Sequence, residues 1–353
     1  MSDTISSSEL LLRLEKLPRA SLALLPTPIQ PLQRFGASIA GQELWMKRDD
    51  LSGLEGGGNK TRKLEYIVGD ALEKGADMLV TVGAIQSNHT RQTAAAAAKA
   101  GLKCALLHCA WTKNASPNYR HVGNILISHI MDADLYVDET ERTIEDQGPL
   151  NALVTKLRAE GHKPYLIPGG ASEHSLGCMG YVNCAAELVE QMQERGFKFD
   201  YLVHCTGSSS TQAGLLAGFA ALGVETKVIG IADDDEIEIK KVRVQHLAND
   251  TLGALGLNMR LNSDAVEIVS ASTGSYGIVD PETIESIQLL ARTEGLIADP
   301  VYEGRAIRGF QNLAAEGRFD AGSKILLMHL GGSPALHAYA EQFGAIELEP
   351  FPK

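Results

Sequence analysis

Long apolar runs are missing from this chain of 353 residues, and no segment reaches the length of a membrane-crossing helix. A basic excess is missing too: 32 Lys and Arg against 44 Asp and Glu leave a formal charge of -12. That balance argues against sequence-independent nucleic-acid binding, which needs a cationic footprint. It still allows an anionic small molecule, because a local cationic pocket can sit within an acidic surface. Cysteine is scarce and irregular. Cys104, Cys109, Cys178, Cys184 and Cys205 form no CxxC pair and no Cys/His cluster. An odd count at such spacing fits reduced thiols buried as small hydrophobes, and no metal centre is expected. Met1-Ser2-Asp3-Thr4 has neither the basic nor the apolar region of a signal peptide. A soluble cytoplasmic protein is therefore expected. Internal repeats, low-complexity tracts and long linkers are also lacking.

What is present is an alternation of short apolar runs with helix-length segments. Met78 to Val82 reads as a strand buried on both faces, Arg91 to Ala100 as an alanine-rich helix, and Lys103 to His108 as the next strand. Tyr201 to Cys205, a polar turn from Thr206 to Ser210, a helix from Thr211 to Leu222 and a strand from Lys227 to Ile231 repeat the unit. Lys324 to His329 is one further buried strand, ending at Gly331-Gly332. Strand, crossover helix and strand in series predict an α/β fold of doubly wound, mainly parallel sheets. Sites in such sheets lie beyond the carboxyl ends of the strands. The acidic run Asp233-Asp234-Asp235-Glu236 reads as a solvated loop rather than a metal site.

Several of these loops could carry chemistry. Lys60 follows Gly56-Gly57-Gly58-Asn59, where the backbone is unobstructed and an amine can be approached. Such a lysine can form a Schiff base with an aldehyde if it can lose a proton. Two other readings stand beside this one. The run from Gly53 nearly spells a phosphate loop, but Asn59 interrupts the required Gly-Lys pair. A flexible glycine turn before a basic helix start would look the same, and the charged residues upstream, Lys47-Arg48-Asp49-Asp50, suit a loop. Thr206-Gly207-Ser208-Ser209-Ser210-Thr211 follows a strand and opens a helix, with hydroxyls at five of its six positions. Backbone N–H groups at a helix start, joined by hydroxyls, can hold a phosphate, although a plain Ser/Thr cap would also produce such a run. Gln86-Ser87-Asn88-His89 presents short polar side chains at the mouth of another strand. Tyr276 and the pair Tyr302-Glu303 stand in polar turns.

Taken together, a loop lysine, a serine-rich cradle and a Ser-Asn loop suit pyridoxal 5'-phosphate. The segments 57–66, 86–88, 210–214, 299–304 and 329–332 resemble, in order, motifs of the tryptophan-synthase-β-like superfamily of pyridoxal-phosphate enzymes, fold type II. Within it the chain resembles the group holding 1-aminocyclopropane-1-carboxylate deaminase, D-cysteine desulfhydrase and L-cysteate sulfo-lyase. The likeness spans roughly residues 24 to 338 and implies particular roles. Lys60 would hold the cofactor covalently and shuttle a proton. Asn88 would meet the phenolic oxygen, and Ser87 the substrate or its carboxylate. Lys63, Ser208, Ser209, Ser210 and Thr211 would hold the phosphate. Glu303 would pair with the pyridine nitrogen, making the ring an electron sink. Tyr302 and Tyr276 would flank the ring as acid/base or positioning groups.

Glu303 and Leu330, the latter at the cofactor, are the residue types associated with the cyclopropane deaminase. His89 and the run Trp111-Thr112-Lys113 depart from that pattern. A cationic Lys113 with His89 and Arg120 would suit a small amino acid carrying a second anion, so His89, Trp111 and Lys113 are expected at the substrate. The runs 108–113, 136–140 and 169–174 resemble the L-cysteate sulfo-lyases most closely. The expected reaction is therefore β-elimination of sulfite from L-cysteate, leaving pyruvate and ammonia. D-cysteine desulfhydrase follows as the alternative, then the cyclopropane deaminase. A non-catalytic cofactor-binding protein is the reading from a different class. The resemblance also implies two domains, residues 1–63 with 177–353 and an inserted 64–176, with the cofactor between them, and a homodimer.

Overall fold

The computed structural model describes residues 4–39, 42–112, 116, 118–140, 146–233, 236–270 and 276–349. Among them ten strands form two sheets. The larger is ordered β1-β2-β10-β7-β8-β9, with β1 Ile29–Pro31, β2 Glu43–Arg48, β7 Tyr201–Thr206, β8 Lys227–Ala232, β9 Glu267–Ser270 and β10 Lys324–His329. The smaller is β5-β4-β3-β6, with β3 Met78–Ala84, β4 Lys103–Cys109, β5 Asp134–Asp138 and β6 Pro164–Ile167. Only β1 and β2 pair antiparallel; every other pairing is parallel. The doubly wound α/β expectation holds. Parallel strands need crossover helices on both faces, and all seven residues of β3 are buried as that covering requires.

Small residues set how closely the layers approach. The helix Ser210–Leu222 is apolar nearly all round and packs on the helix Met179–Arg195. A Cβ at Gly214 would lie 2.4 Å from the Cys178 carbonyl, and one at Gly218 2.4 Å from Ala185 Cβ. These two glycines, one turn apart, let the helices touch backbone to side chain. In the small sheet, the helix Asn88–Ala100 is capped by the Ser87 hydroxyl and ended by Gly101 in the left-handed conformation.

Two charged runs depart from their expected solvation. Lys47 ends up in β2 rather than in a loop, and Lys47 and Asp49 are both fully buried. They belong to a network on Arg62, whose guanidinium donates to Asp49 at 2.8 and 2.9 Å and to Glu187 at 2.9 and 3.0 Å. Lys47 pairs with the same Glu187, and Tyr181 Oη donates to Asp49 at 2.7 Å. Asp233, expected in a solvated loop, is also buried and pairs with Lys240 at 2.7 Å. In each case paired charges replace water, which sequence patterning alone does not reveal.

Among the described residues no helix is long and apolar enough to cross a membrane, and no group of three or more His, Cys, Asp or Glu is placed to hold a metal. The cysteines are buried, and among the described residues none forms a disulfide.

Candidate active site

The carboxyl ends of β3, β7 and β10 converge on one cleft with an empty volume of about 380 Å³. Its wall includes Lys60, Asn88, Cys205, the loop from Thr206 to Ser209, Thr211, Asp299, Tyr302, Glu303 and Leu330. Lys60 is the second residue of the helix Asn59–Glu73, at the end of the glycine run. Gly56, Gly57 and Gly58 have φ of 79°, 54° and 120°, a region that side chains resist. Their clearance serves the chain itself. A Cβ at Gly57 would lie 1.8 Å from the Asp50 carbonyl oxygen, and one at Gly58 would crowd Gln92 and the Leu330 carbonyl. The glycines thus let the loop fold tightly enough to bring Lys60 to the cleft.

Lys60 is half-buried, with Nζ 5.6 Å from the Tyr302 ring centroid. Burial lowers its pKa below the ordinary lysine value, only partly opposed by Cys205, Asp233, Asp299 and Glu303. A lowered pKa supplies the neutral amine that a nucleophile needs. Lys63, one turn further along the same face, is fully buried. Its ammonium donates to Ser210 Oγ at 2.8 Å and Ser208 Oγ at 3.3 Å. Burial, then the charge of Lys60, holds its pKa well below the usual value. An anion at those serines would restore the charge.

The serine loop begins its helix at Ser210, one residue earlier than expected, and Ser209 stands at φ 64°. Asn59 Nδ2 donates to Thr211 Oγ1 at 3.1 Å, joining the lysine helix to this loop. Across the cleft, Glu303 is buried at the start of the helix Glu303–Ala315. Its pKa is pushed well up, first by burial and then by Asp299. Asp299 accepts the backbone N–H groups of Val301 and Tyr302 at 2.9 Å and of Glu303 at 3.1 Å, so it shapes the turn that delivers them. The Tyr276 and Tyr302 hydroxyls are 2.6 Å apart.

Three buried oxygens on residues of this wall lack a hydrogen-bond partner: Thr206 Oγ1, Ser209 Oγ and Glu303 Oε1. Each such atom costs about 1–3 kcal/mol until it is satisfied. A ligand with a phosphate at one end and a ring nitrogen at the other would satisfy them. Pyridoxal 5'-phosphate fits that description, with its aldehyde toward Lys60.

Asn88 also lines the cleft. Its Oδ1 accepts from Asn124 Nδ2 at 2.8 Å, which leaves its amide nitrogen as the donor toward a ligand oxygen. Ser87 caps its helix, accepting from the N–H groups of His89 and Thr90 at 3.2 and 3.3 Å. It is buried and lies outside the cleft wall.

Among the described residues, three of those expected at a second anion, His89, Arg120 and Trp111, lie off the cleft wall. His89 is buried, with Nε2 2.8 Å from Thr81 Oγ1, and burial followed by the charges of Lys60 and Lys63 pushes its pKa down to about 3. It is neutral and lies off the cleft wall. Arg120 pairs at the surface with Glu139, at 2.5 and 2.9 Å. Trp111 packs half-buried against the outer face of the small sheet, also off the wall. Lys113 lies outside the described residues. The sequence reading also missed Asn124, which orients Asn88, and Arg91. The buried Arg91 guanidinium donates to the carbonyls of Leu54, Glu55 and Gly57 and to Asn124 Oδ1. Neither carries a local signal, since both act through loops distant in sequence. For Asp299, the turn-forming Asp-Pro pair was the available signal.

A family model described as pyridoxal-phosphate dependent enzyme matches residues 20–331. A relative from Methylobacterium nodulans, named 1-aminocyclopropane-1-carboxylate deaminase, is 45% identical over 94% of this chain and 99% of its own length. Another with that name, from Bradyrhizobium diazoefficiens, is 44% identical with the same coverage. The crystal structure of an ACC deaminase homologue superposes with a TM-score of 0.86 at 36% identity, covering 95% of this chain and 98% of the other. O-ureido-L-serine synthase shares the fold at a TM-score of 0.66 and 17% identity, covering 96% of each chain.

Proposed function

The chain belongs to the pyridoxal-phosphate-dependent enzyme family, and from that premise we propose that it opens the ring of 1-aminocyclopropane-1-carboxylate, giving 2-oxobutanoate and ammonia with the uptake of water. The observation that carries this reading is the charge of the cleft: its described wall holds no Arg and no Lys besides Lys60. A substrate with one carboxylate and an otherwise apolar body suits such a wall, and Leu330 offers it an apolar contact. A sulfonate would add a second anion with no described partner, at a cost of several kcal/mol if left unpaired. The names of the relatives at 44–45% identity support the same choice.

Pyridoxal 5'-phosphate, when bound, withdraws electrons from the bonds at the amino-acid α-carbon. The protein's part is to hold and move protons. Forming 2-oxobutanoate requires one ring methylene to gain a proton and become the methyl group, while the other ends as a methylene, so a proton taken from it on the way must be returned. The assigned groups are Lys60 Nζ and the Tyr276–Tyr302 hydroxyl pair, in which each oxygen can pass a proton to the other at 2.6 Å. Glu303 enters with its carboxyl favouring the protonated form and would share that proton with the ring nitrogen. Asn88, at the start of its helix, would hold the cofactor oxygen, while Ser87 caps that helix from outside the wall.

Carbon–sulfur β-elimination is the second reading, from L-cysteate with release of sulfite or from D-cysteine with release of sulfide. It rests on the sequence run Trp111-Thr112-Lys113, whose Lys113 lies outside the described residues. One steady-state comparison separates the two. Purified holoprotein is given 1-aminocyclopropane-1-carboxylate, L-cysteate and D-cysteine, and 2-oxobutanoate, sulfite and sulfide are measured. Ring opening is expected to have the highest kcat/KM. Sulfite or sulfide release without 2-oxobutanoate would replace it with the second reading, and no product from any substrate would favour a binding protein.

A further inference from the structure

The serine loop rests on a buried ion pair to which no role has been given. Lys240, in the helix Ile237–Ala254, is fully buried. Its ammonium donates to the Thr206 carbonyl at 2.9 Å, the Gly207 carbonyl at 3.1 Å and Asp233 Oδ1 at 2.7 Å. Asp233 lies directly under the loop: a Cβ at Gly207 would sit 2.7 Å from its other oxygen. Asp233 is itself held from behind, because its carbonyl accepts from the buried guanidinium of Arg305.

The planar peptide gives these contacts a consequence. In a trans unit the C=O of one residue and the N–H of the next point in opposite directions. Drawing the Thr206 and Gly207 carbonyls down onto Lys240 therefore turns the N–H groups of Gly207 and Ser208 upward. Both residues line the cleft, beside Ser209 with its unpartnered buried hydroxyl. The pair is nearly neutral as a unit, so its main effect is orientation, with the ammonium the nearer charge to the loop carbonyls.

We propose that Lys240, held by Asp233, is a positioning residue of the phosphate cradle, fixing the Thr206–Ser208 peptides so that their N–H groups face the cofactor phosphate. This rests on reading the serine loop as the phosphate site, and not on which amino acid is turned over. An apolar side chain would fill the space without orienting the peptides.

The test compares two ligands that differ only in the phosphate. Apoprotein of the wild type, of Lys240→Met and of the double variant Lys240→Met/Asp233→Asn is titrated with pyridoxal 5'-phosphate and with pyridoxal, following the absorbance of the bound ring. The double variant removes the unpaired carboxylate that the single one leaves, and circular dichroism of each apoprotein checks the fold. Phosphorus NMR of the bound cofactor reports the cradle directly. Both variants are expected to bind pyridoxal 5'-phosphate about 10- to 100-fold more weakly, the effect of losing charge-assisted hydrogen bonds, with pyridoxal nearly unchanged and the phosphorus resonance shifted. An equal loss for both ligands in the double variant would reduce Lys240 to a packing role, and no loss for either would overturn the proposal outright. A wild type that binds the two ligands equally would remove the phosphate cradle and the proposal together, whatever the substrate.

Discussion

Lys60→Ala is expected to cut turnover by about 10³- to 10⁴-fold, the scale of losing a positioned acid/base that also anchors the cofactor. The expectation follows from placement. Among the described residues, Lys60 alone combines a cleft position, a pKa lowered by burial and a tyrosine ring within reach. Lys63 is not a ready substitute, because its ammonium is turned to Ser208 and Ser210. The variant should still bind pyridoxal 5'-phosphate through the cradle but without the absorbance of the lysine-linked ring. Product formation from the substrate identified for the wild type provides the kinetic check. Turnover within about tenfold of wild type would move the essential amine elsewhere.

Arg62→Met is expected to cost about 3–5 kcal/mol of stability, the range for breaking a buried pair from one side. The guanidinium meets two carboxylates at four distances of 3.0 Å or less and is 1% exposed. Its loss would leave Asp49 and Glu187 to Lys47 and Tyr181. The pH dependence has a definite sign. Burial raises both carboxyl pKa values, but Arg62 and Lys47 together, with the Tyr181 hydroxyl at Asp49, outweigh it, so in the folded wild type both lie below the ordinary carboxylate range. Such depressed groups stabilise the fold above their unfolded pKa, and that contribution fades as pH falls through the folded one. Without Arg62 burial dominates, and the carboxyls instead take up protons on folding. The gap between wild type and variant should therefore be widest at neutral pH and narrow on acidification. Urea unfolding at neutral and mildly acid pH measures it. A gap that widened in acid would contradict the assigned network.

How much of this was legible in the sequence differed from element to element. β3, β4, β7, β8 and β10 could be read because parallel strands covered on both faces are continuous apolar runs. β2 could not, since its last residues are Lys47 and Arg48, and a buried lysine looks like a solvated one until its partner Glu187, 140 residues away, is in place. Asp233 is the same case. In the candidate site, the serine loop and Lys60 announced themselves through local composition. His89 was expected at the substrate, but it is buried against Thr81, a tertiary fact with no local signal. The glycines before Lys60 were read as room for a ligand, whereas Asp50 and Leu330 already occupy that room.

The central claim is that the cleft holds pyridoxal 5'-phosphate on Lys60, and reductive trapping tests it most directly. Holoprotein is treated with borohydride, digested, and its lysine peptides are mapped by mass spectrometry. The expected product is a single phosphopyridoxyl-lysine at Lys60, with Lys63 in the same segment unmodified. Label on Lys63 or on a lysine outside the cleft, or no stable label at all, would contradict the assignment.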